Sequence, residues 1–498
     1  MGVMSNKVGI SGFSLFLPPY RVQLQRWCDW TGNSWPKTRA VVGNSFRVVG
    51  ADHNVYTMAA NAVLRLIRDH EIDPRTVGFI GLGTESGTDN ATSGAIIVRG
   101  LVDQVLEKWG IPAISREVEA PEVKQACLGG MFAVKGALRY LQTDGVGRRA
   151  IVVTSDIAEY ARGSTGEPTQ GAGAVAMLLE ADPKLLAIDV RRAASTTLYR
   201  ALDFRKPFLR YLGQARSEDQ RVRDVPVFNG KYSTACYVDE TVASLDAFFR
   251  KSKVGRAGYL RDVAAVFMHR PYSRMPVTAW TTAYLFALAQ DGEGGRSELS
   301  RYAAAAGVDL DALMAETKSD PQLLQRALQG DLVDDPYPLM TEVAKAFRDT
   351  PTYADVVEKK FTLGTSAMME MGNLYSAALP GWLASGLEEG ARIGTDLAGK
   401  EILLIGYGSG DASETMPAEV VPGWEKAAAK SKVADALASP IDLDKDQYEA
   451  LHEGRKAPGL GVPAFSGFVV DHIGTSTASA YQDAGIEFYR HVETGVRA

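Results

Sequence analysis

Two spacings of apolar residues recur along this chain, and each predicts one kind of secondary structure. Short, nearly continuous apolar runs bounded by glycine, proline or polar residues predict buried β-strands. Apolar residues three and four positions apart predict amphipathic helices. The helical spacing occurs at residues 57–70, 95–110 and 131–140, and the apolar runs occur at residues 8–16, 77–83, 150–155, 173–180, 263–268 and 401–406.

The alternation of strands and helices predicts an α/β fold with a largely parallel sheet covered by helices on both faces. It occurs in both halves of the chain, so we expect two similar halves, residues 1–181 and 182–498. Ligands of such sheets gather at the carboxyl ends of the strands. Glu85, Asp156 and His269 each follow a predicted strand closely, so these strand ends are the candidate site.

Three segments depart from the alternating pattern. Residues 291–353 are charged, polar and mostly helical, and we interpret them as a surface insertion or a partner-facing helical excursion. Residues 426–458 are rich in lysine, alanine and aspartate, so we expect them to be exposed. Residues 468–470 and 486–489 are short apolar runs that predict two final strands.

The composition narrows the class of protein. A chain of 498 residues that is 46% hydrophobic and 23% charged has ample material for a packed core. Its net charge of -6 gives no reason to expect nucleic acid or an anionic membrane as a partner, and no apolar run is long enough to span a bilayer. Residues 1–7 lack the pattern of a signal peptide. We therefore predict a cytoplasmic protein.

Cys127 is the strongest candidate nucleophile among the three cysteines, the others being Cys28 and Cys236. No CxxC spacing occurs, which fits a reducing compartment. Cys127 precedes Gly129 and Gly130 and a helix-favouring run, and the positive end of a helix dipole favours the thiolate. The glycines would let a substrate carbonyl approach the backbone. The structural alternative is a buried cysteine that only packs beside a helix.

Glu85 and His269 complete a set suited to acyl transfer coupled to carbanion formation. A thiolate can carry an acyl group as a thioester. A carboxyl group can move protons to and from carbon and oxygen, and an imidazole can donate a hydrogen bond to a carbonyl. The alternatives are a helix cap for Glu85 and a core histidine for His269. Ser86 is a rival nucleophile, but it lacks the Gly-x-Ser-x-Gly elbow.

Two glycine-rich turns follow or precede predicted strands. Residues 406–410 read Gly-Tyr-Gly-Ser-Gly, without the lysine of a P-loop or the spacing of a dinucleotide fingerprint. A glycine-rich turn at a strand end can instead direct an amide N–H toward an oxyanion. The second turn, residues 166–173, fits a role in shaping a site and a purely structural role equally well.

Together these segments resemble the 3-hydroxy-3-methylglutaryl-CoA synthase family of the thiolase superfamily. Each motif alone is weak, but nine of them occur in the family's order. They are Thr-Glu-Ser at 84–86, Lys-Gln-Ala-Cys-Leu-Gly-Gly at 124–130, Ser-Asp-Ile-Ala-Glu-Tyr at 155–160, the turn and strand start at 166–177, Asp-Phe-Arg-Lys-Pro at 203–207, Gly-Lys at 230–231, His-Arg-Pro-Tyr at 269–272, Gly-Asn-Leu-Tyr at 372–375 and Tyr-Gly-Ser-Gly at 407–410.

The resemblance implies a fold and a set of roles. The implied fold is α/β and thiolase-like, with two related halves in a five-layered αβαβα arrangement and a helical insertion in the second half. Cys127 would carry the acetyl group of acetyl-CoA, and Glu85 would be the general acid and base. His269 and Asn373 would hold acetoacetyl-CoA, while the amides of Cys127 and Ser409 would form the oxyanion hole. The other implied substrate-binding or site-wall positions are Gly408, Tyr375, Tyr160, Asp156, Phe204, Lys231 and Arg274.

The family also suggests partners. CoA thioesters would be substrates, so the resemblance implies no separate cofactor and no metal. Members of this superfamily are usually dimers, so we expect a homodimer.

Departures from the family pattern leave other functions open. Asn229 stands where the family often has aspartate, Arg274 where a lysine is usual, and Thr278 where many members place a lysine for the CoA phosphates. The loss of the two lysines supports one alternative to CoA-dependent condensation, the β-branching synthase of polyketide pathways, which takes acyl groups from an acyl carrier protein. Thiolase itself needs a second catalytic cysteine near the C-terminus, but Cys236 is the last one. The initiating ketoacyl synthase would lack the glutamate, and a non-catalytic scaffold has no need of a reactive thiol.

Overall fold

The computed structural model describes residues 7–206, 225–460 and 466–493. The strands in chain order are β1 (Val8–Phe16), β2 (Tyr20–Gln23), β3 (Ser45–Val48), β4 (Val77–Gly83), β5 (Glu122–Val123), β6 (Arg149–Ala158), β7 (Gly171–Ala181), β8 (Leu186–Ile188), β9 (Ala194–Thr197), β10 (Phe204–Arg205), β11 (Val227–Phe228), β12 (Val266–Met268), β13 (Glu401–Gly408), β14 (Ala412–Val420), β15 (Ile441–Asp442), β16 (Gly467–Ile473), β17 (Thr477–Ala478), β18 (Tyr481–Gln482) and β19 (Glu487–Val492).

The helices alternate with these strands in the first half and dominate the middle of the chain. In chain order they are α1 (Leu24–Thr31), α2 (Trp35–Val41), α3 (Val55–Asp69), α4 (Gly94–Lys108), α5 (Gly129–Gln142), α6 (Gly230–Ser252), α7 (Arg256–Asp262), α8 (Arg274–Gln290), α9 (Gly292–Ala306), α10 (Leu310–Glu316), α11 (Leu323–Leu328), α12 (Pro338–Phe347), α13 (Pro351–Val356), α14 (Thr365–Met368), α15 (Ala378–Ile393), α16 (Glu425–Ala428), α17 (Val433–Leu437) and α18 (Lys445–His452).

One large sheet runs through the molecule, and the directions of its strand pairs repeat on the two sides of the β1/β8 pair. The order is β12-β13-β14-β8-β1-β7-β6-β4-β5, with β9 paired to β14. β1 and β8 pair antiparallel at the centre. Outward from them, each side has two antiparallel contacts and then a parallel one: β1/β7, β7/β6 and β6/β4 on one side, and β8/β14, β14/β13 and β13/β12 on the other. This repeat supports two related halves, while the boundary at residue 181 stays a prediction.

The expectation of a largely parallel sheet is wrong. Among the described strands of this sheet, β4/β5, β4/β6 and β12/β13 are the parallel pairs. A parallel connection needs a crossover, usually a helix. Between β6 and β7 lies only the short 3-10 turn Glu167–Thr169, and residues 409–411 alone join β13 to β14. Consecutive apolar strands without a helix between them therefore pair antiparallel.

Helices lie outside and between the two halves of the sheet. Side chains of β6 alternate between two cores: Ile151 and Val153 face the core built with α3 and α4, while Ala150 and Val152 face the core built with α5. α5 also reaches the second half, where its Lys135 lies 2.7 Å from the carboxylate of Glu414 on β14. α15 packs on β12 and β13, and α6 packs on β9, β13 and β14. When the two halves of the sheet are counted as separate layers, the order of layers is helix, sheet, helix, sheet, helix.

The insertion and the late segments differ in how well the sequence predicts them. Residues 291–353 are helical as expected, and α9 and α12 pack on α8. The prediction that residues 426–458 are exposed is wrong in part. Leu443, Tyr448 and Leu451 are buried in a core that they share with β2, β3 and α1. β16 and β19 pair antiparallel, which confirms the two final strands. Within the described residues, no helix is both long enough and apolar enough to cross a membrane.

Candidate active site

The turn before α5 carries Cys127 and lies against the end of β4. Ala126 has a positive φ of 43°, a conformation that costs a residue with a side chain about 1 to 3 kcal/mol when the surroundings impose it. A Cβ on Gly83 would lie 2.4 Å from the Cα of Gly130. The glycines at these two positions therefore let the strand that leads to Glu85 touch the turn of Cys127.

Glu85 and Cys127 form one hydrogen-bonded pair. The Cys127 Sγ lies 3.4 Å from Oε2 of Glu85, with the thiol as donor. The Glu85 side chain is only 5% exposed, whereas Cys127 is half-buried. The structure thus brings together the nucleophile and the general base that the sequence predicts in separate segments.

Lys206 supplies a positive charge that the sequence analysis did not assign. Its Nζ lies 3.2 Å from Oε1 of Glu85 and 4.8 Å from the centre of the Tyr375 ring. The signal was available, since Lys206 belongs to the Asp-Phe-Arg-Lys-Pro motif. Pro207 of that motif lies outside the described residues. The contact with Glu85 could not be predicted because the two residues lie far apart in the sequence.

Burial and charge set the protonation of the pair. Burial raises the pKa of Glu85 to about 7, and the charge of Lys206 opposes that rise. Burial, followed by the charges of Glu85 and Asp156, raises the pKa of Cys127 well above its usual value. The expected thiolate is therefore wrong for the free protein: the thiol keeps its proton, because burial and, after it, the acidic neighbours outweigh the helix dipole. The arrangement is a thiol that donates to a carboxylate able to take its proton near neutral pH.

Asp156 anchors the backbone around Glu85. Its Oδ1 accepts hydrogen bonds from the Glu85 amide at 2.8 Å, from Thr84 Oγ1 at 2.9 Å and from Ser86 Oγ at 2.8 Å. Its Oδ2 accepts from the Ser376 amide at 2.9 Å. Asp156 is fully buried, and its carboxylate oxygens accept hydrogen bonds from the protein. It therefore stabilises the backbone of the site. Ser376 is a structural contributor that the sequence analysis missed.

An aromatic wall encloses the thiol. Tyr160, Tyr375 and Phe204 form one cluster with Cys127 and a further ring, Phe228, that the sequence analysis missed. The ring centres of Phe204 and Tyr375 are 5.9 Å apart, and those of Tyr160 and Phe228 are 5.0 Å apart. Tyr375 has a φ of 47°, so a second non-glycine residue with a left-handed backbone lies at the site. These rings limit the access of water to the thiol.

The glycine-rich turn at the end of β13 reaches the turn of Cys127 from the other half of the sheet. A Cβ on Gly408 would lie 2.2 Å from the carbonyl oxygen of Gln125 and 3.0 Å from the amide nitrogen of Leu128. Glycine at this position thus permits direct backbone contact. Asp203 Oδ2 accepts hydrogen bonds from the Tyr407 hydroxyl at 3.0 Å and from the Gly410 amide at 3.1 Å. Ser409 therefore sits in a turn that is fixed on both sides and borders Cys127.

His269 and Asn373 flank these elements. His269 directly follows β12, is 2% exposed, and its ring lies 6.4 Å from that of Tyr407. Burial lowers its pKa to about 3, so the imidazole is neutral. Its Nδ1 has no hydrogen-bond partner among the described residues, which leaves it available to a ligand. Asn373 Oδ1 accepts from the Tyr375 amide at 2.9 Å, so this side chain also shapes the strained turn.

Two predicted substrate-binding residues lie on the surface. Lys231 is 84% exposed and forms an ion pair with Asp334 at 3.1 Å. Arg274 is exposed at the start of α8. Neither belongs to the cluster around Cys127, so any contact they make with substrate involves its outer part.

Comparisons with known proteins find similarity to one group of synthases. The family model described as "Hydroxymethylglutaryl-coenzyme A synthase N terminal" matches residues 4–184. A hydroxymethylglutaryl-CoA synthase from Haloferax volcanii is 27% identical over 402 residues, which cover 80% of each chain.

Solved structures share the fold over nearly the whole length. MvaS in complex with 3-hydroxy-3-methylglutaryl coenzyme A matches with a TM-score of 0.75 at 24% identity, and the curacin pathway HMG synthase in complex with its acetyl donor-ACP matches with a TM-score of 0.69 at 18% identity. Each match covers 98% of this chain and 100% of the other. The thiolase-like fold is thereby confirmed, and the chain is similar to hydroxymethylglutaryl-CoA synthases over most of its length.

Proposed function

We propose that this enzyme joins an acetyl group, held as a thioester on Cys127, to acetoacetyl-CoA and so forms 3-hydroxy-3-methylglutaryl-CoA. The observation that carries the proposal is the hydrogen bond between Cys127 and Glu85. It pairs a nucleophile with a carboxyl group whose pKa of about 7 suits proton transfer in both directions at neutral pH.

Acetylation is the first step. Glu85 accepts the thiol proton while the sulfur of Cys127 attacks the carbonyl carbon of acetyl-CoA. The amides of Cys127 and Ser409 stabilise the oxyanion. The bond to the CoA sulfur then breaks, and the departing CoA thiolate takes the proton from Glu85. The products of this step are acetyl-Cys127 and free CoA.

Condensation is the second step. The Glu85 carboxylate removes a proton from the methyl group of the acetyl thioester, and the carbanion attacks the keto carbon of acetoacetyl-CoA. The neutral imidazole of His269 donates a hydrogen bond to that keto group and Asn373 assists in holding it. Glu85 returns its proton to the new alkoxide. Water then hydrolyses the thioester to Cys127, which releases the product and restores the thiol.

Labelled acetyl-CoA tests the proposal directly. We expect one labelled acetyl group per chain in the wild type and in C28A, whose buried thiol lies in another core, and none in C127A. Labelling of C127A at the wild-type level would contradict the proposed nucleophile.

Carrier-bound acyl groups are the second candidate substrates. Thr278 occupies the position of a CoA-binding lysine in the family and bonds the backbone of Arg274, while Lys231 is paired with Asp334. Fewer free cations are thus available for CoA phosphates at these positions. Condensation rates with acetoacetyl-CoA and with an acetoacetyl acyl carrier protein distinguish the two: we expect the CoA thioester to give the higher kcat/KM, and a large excess for the carrier protein would favour the second candidate.

A further inference from the structure

A short segment before β10 is tied to the turn that bears Ser409. The Leu198 amide donates to the carbonyl of Asp411 at 3.1 Å, and the Asp411 amide donates back to Leu198 at 2.7 Å. The Arg200 amide donates to the carbonyl of Gly410 at 2.9 Å. These bonds continue the pairing of β9 with β14 past the end of both strands and fix the turn along one edge.

The side chain of Arg200 reinforces this connection from within the core. It is 1% exposed, and its Nε lies 3.3 Å from Oδ2 of the fully buried Asp411. Its Nη2 forms an ion pair with Asp239 and lies 3.8 Å from a carboxylate oxygen of Glu240. Removing one partner of a buried ion pair leaves an uncompensated charge, so such a pair constrains where its members can lie.

Acidic groups crowd the same turn. Side-chain ligand atoms of Asp203, Cys236 and Asp411 all lie within 4.8 Å of one another. Burial and the charge of Asp203 raise the pKa of Asp411, whereas Arg200 lowers it. Asp203 also accepts the hydrogen bonds from Tyr407 and Gly410. The positive charge of Arg200 therefore allows two carboxyl groups, those of Asp203 and Asp411, to lie close together at the turn of residues 409–411.

The ion pairs of Arg200 connect the turn to the helical segment at residues 291–353. The hydroxyl of Tyr337, the residue before α12, donates to Asp239. The chain of contacts thus runs from the segment at residues 291–353 through Asp239 and Arg200 to the turn at residues 409–411. Of these residues, only those of the turn lie next to the segment that carries Cys127 among the described contacts.

We propose that Arg200 is a positioning residue for acyl transfer: through Asp411 and the Gly410 carbonyl it holds the Ser409 amide in place beside Cys127. The inference rests on the proposed function, because its readout is the acetylation of Cys127. Gly408 transmits the constraint, since its backbone touches the backbone of the turn of Cys127.

The test compares R200M, R200K and D411N with the wild type at increasing acetyl-CoA. Intact-protein mass spectrometry follows acetylation with time, and calorimetry gives Tm. We expect R200M and D411N to lower the limiting acetylation rate at least about tenfold, with a much smaller change in the half-saturating acetyl-CoA concentration. R200K keeps the charge and should recover most of the loss. If R200M fails to fold, R200K and D411N carry the test.

R192M is the matched control. Arg192 forms an ion pair with Glu401 at the opposite end of β13, so its loss should lower Tm and leave the acetylation rate unchanged. Wild-type acetylation rates in folded R200M and D411N, or an equal loss in R192M, would overturn the inference alone. Failure of the wild type to become acetylated would instead overturn the proposed function, and this inference with it.

Discussion

At the scale of single residues, the pair formed by Glu85 and Cys127 decides how the variants should behave. Glu85 accepts the thiol's hydrogen bond, and its charge also raises the pKa of that thiol. Loss of Glu85 thus removes a proton acceptor and at the same time makes the thiol more acidic. No such compensation exists for removal of a proton from the acetyl methyl group.

Glu85→Ala should therefore slow the two half-reactions unequally. We expect acetyl-Cys127 to form still, at a reduced rate, while condensation falls at least about a hundredfold. Rapid-quench measurements of acetylation and of product formation in the same variant separate the two steps. Equal losses in a folded protein would mean that the main role of Glu85 is to deprotonate Cys127.

Lys206 should shift the pH dependence of condensation, because its charge opposes the effect of burial on the pKa of Glu85. In the proposed reaction the free carboxylate of Glu85 is the base, so the rate from preformed acetyl-enzyme should rise with pH through a midpoint near 7. Lys206 stabilises that carboxylate, so Lys206→Met should move the midpoint upward by about one unit. Lys206→Arg keeps the charge and should leave the midpoint near its wild-type value. An unchanged midpoint in Lys206→Met would show that the ion pair does not tune Glu85.

The residue scale also shows what the sequence could and could not predict. The positions of Glu85 and His269 after strands and of Cys127 before a helix were predicted, because each lies within a recognisable motif, and their catalytic roles stay predictions. The protonated state of Cys127 was not predicted, because it depends on the burial of the thiol and on the charges of Glu85 and Asp156, which folding brings close to it. The ion pair of Lys206 was missed for the same reason.

At the scale of elements, close backbone contacts hold the site together where β13 and β4 meet α5. The boundaries of β1 and β4 were predicted correctly because their apolar runs are continuous. β14 was missed because it contains buried polar residues, Ser413, Glu414 and Thr415. Glu414 is stabilised by the ammonium of Lys135 on α5, a partner that no local pattern could reveal.

Gly408→Ala should damage this contact. The added Cβ would lie 2.2 Å from the Gln125 carbonyl oxygen, so the turn must move away from Cys127. We expect a lower Tm and a fall in the acetylation rate of about a hundredfold, since a displacement near 1 Å can cost that much. A fully active Gly408→Ala would show that the turn has no part in acyl transfer.

Gly136→Ala is the matched change within α5. Nothing lies within 4 Å of the new Cβ, and alanine favours the helix interior over glycine by about 1 kcal/mol. Chemical denaturation should show an increase in the free energy of unfolding of about that size. A decrease would indicate that α5 is less regular than its geometry implies.

At the scale of the whole molecule, the repeated pattern of strand pairs places the two halves of the site on one sheet. Glu85 follows β4 on one side, and His269 follows β12 on the other. The chemistry therefore depends on the packing of the halves across α5 and α15. The mixed direction of the strands could not be read from the apolar runs, because the runs do not record how their connections turn.

A homodimer is the assembly we expect from the family. Sedimentation velocity at micromolar concentration should give a single species of twice the chain mass. A monomer at the same concentration that retains full activity would contradict this expectation.

The proposed order of steps places an acetyl group on Cys127 before the new carbon–carbon bond forms. A chase experiment tests it most directly: isolated acetyl-enzyme, labelled in the acetyl group, is mixed with unlabelled acetoacetyl-CoA in a single turnover. We expect the label to leave Cys127 and to appear in 3-hydroxy-3-methylglutaryl-CoA at a rate at least equal to kcat. Label that stays on the protein, or that is released only as acetate while unlabelled product forms, would contradict it.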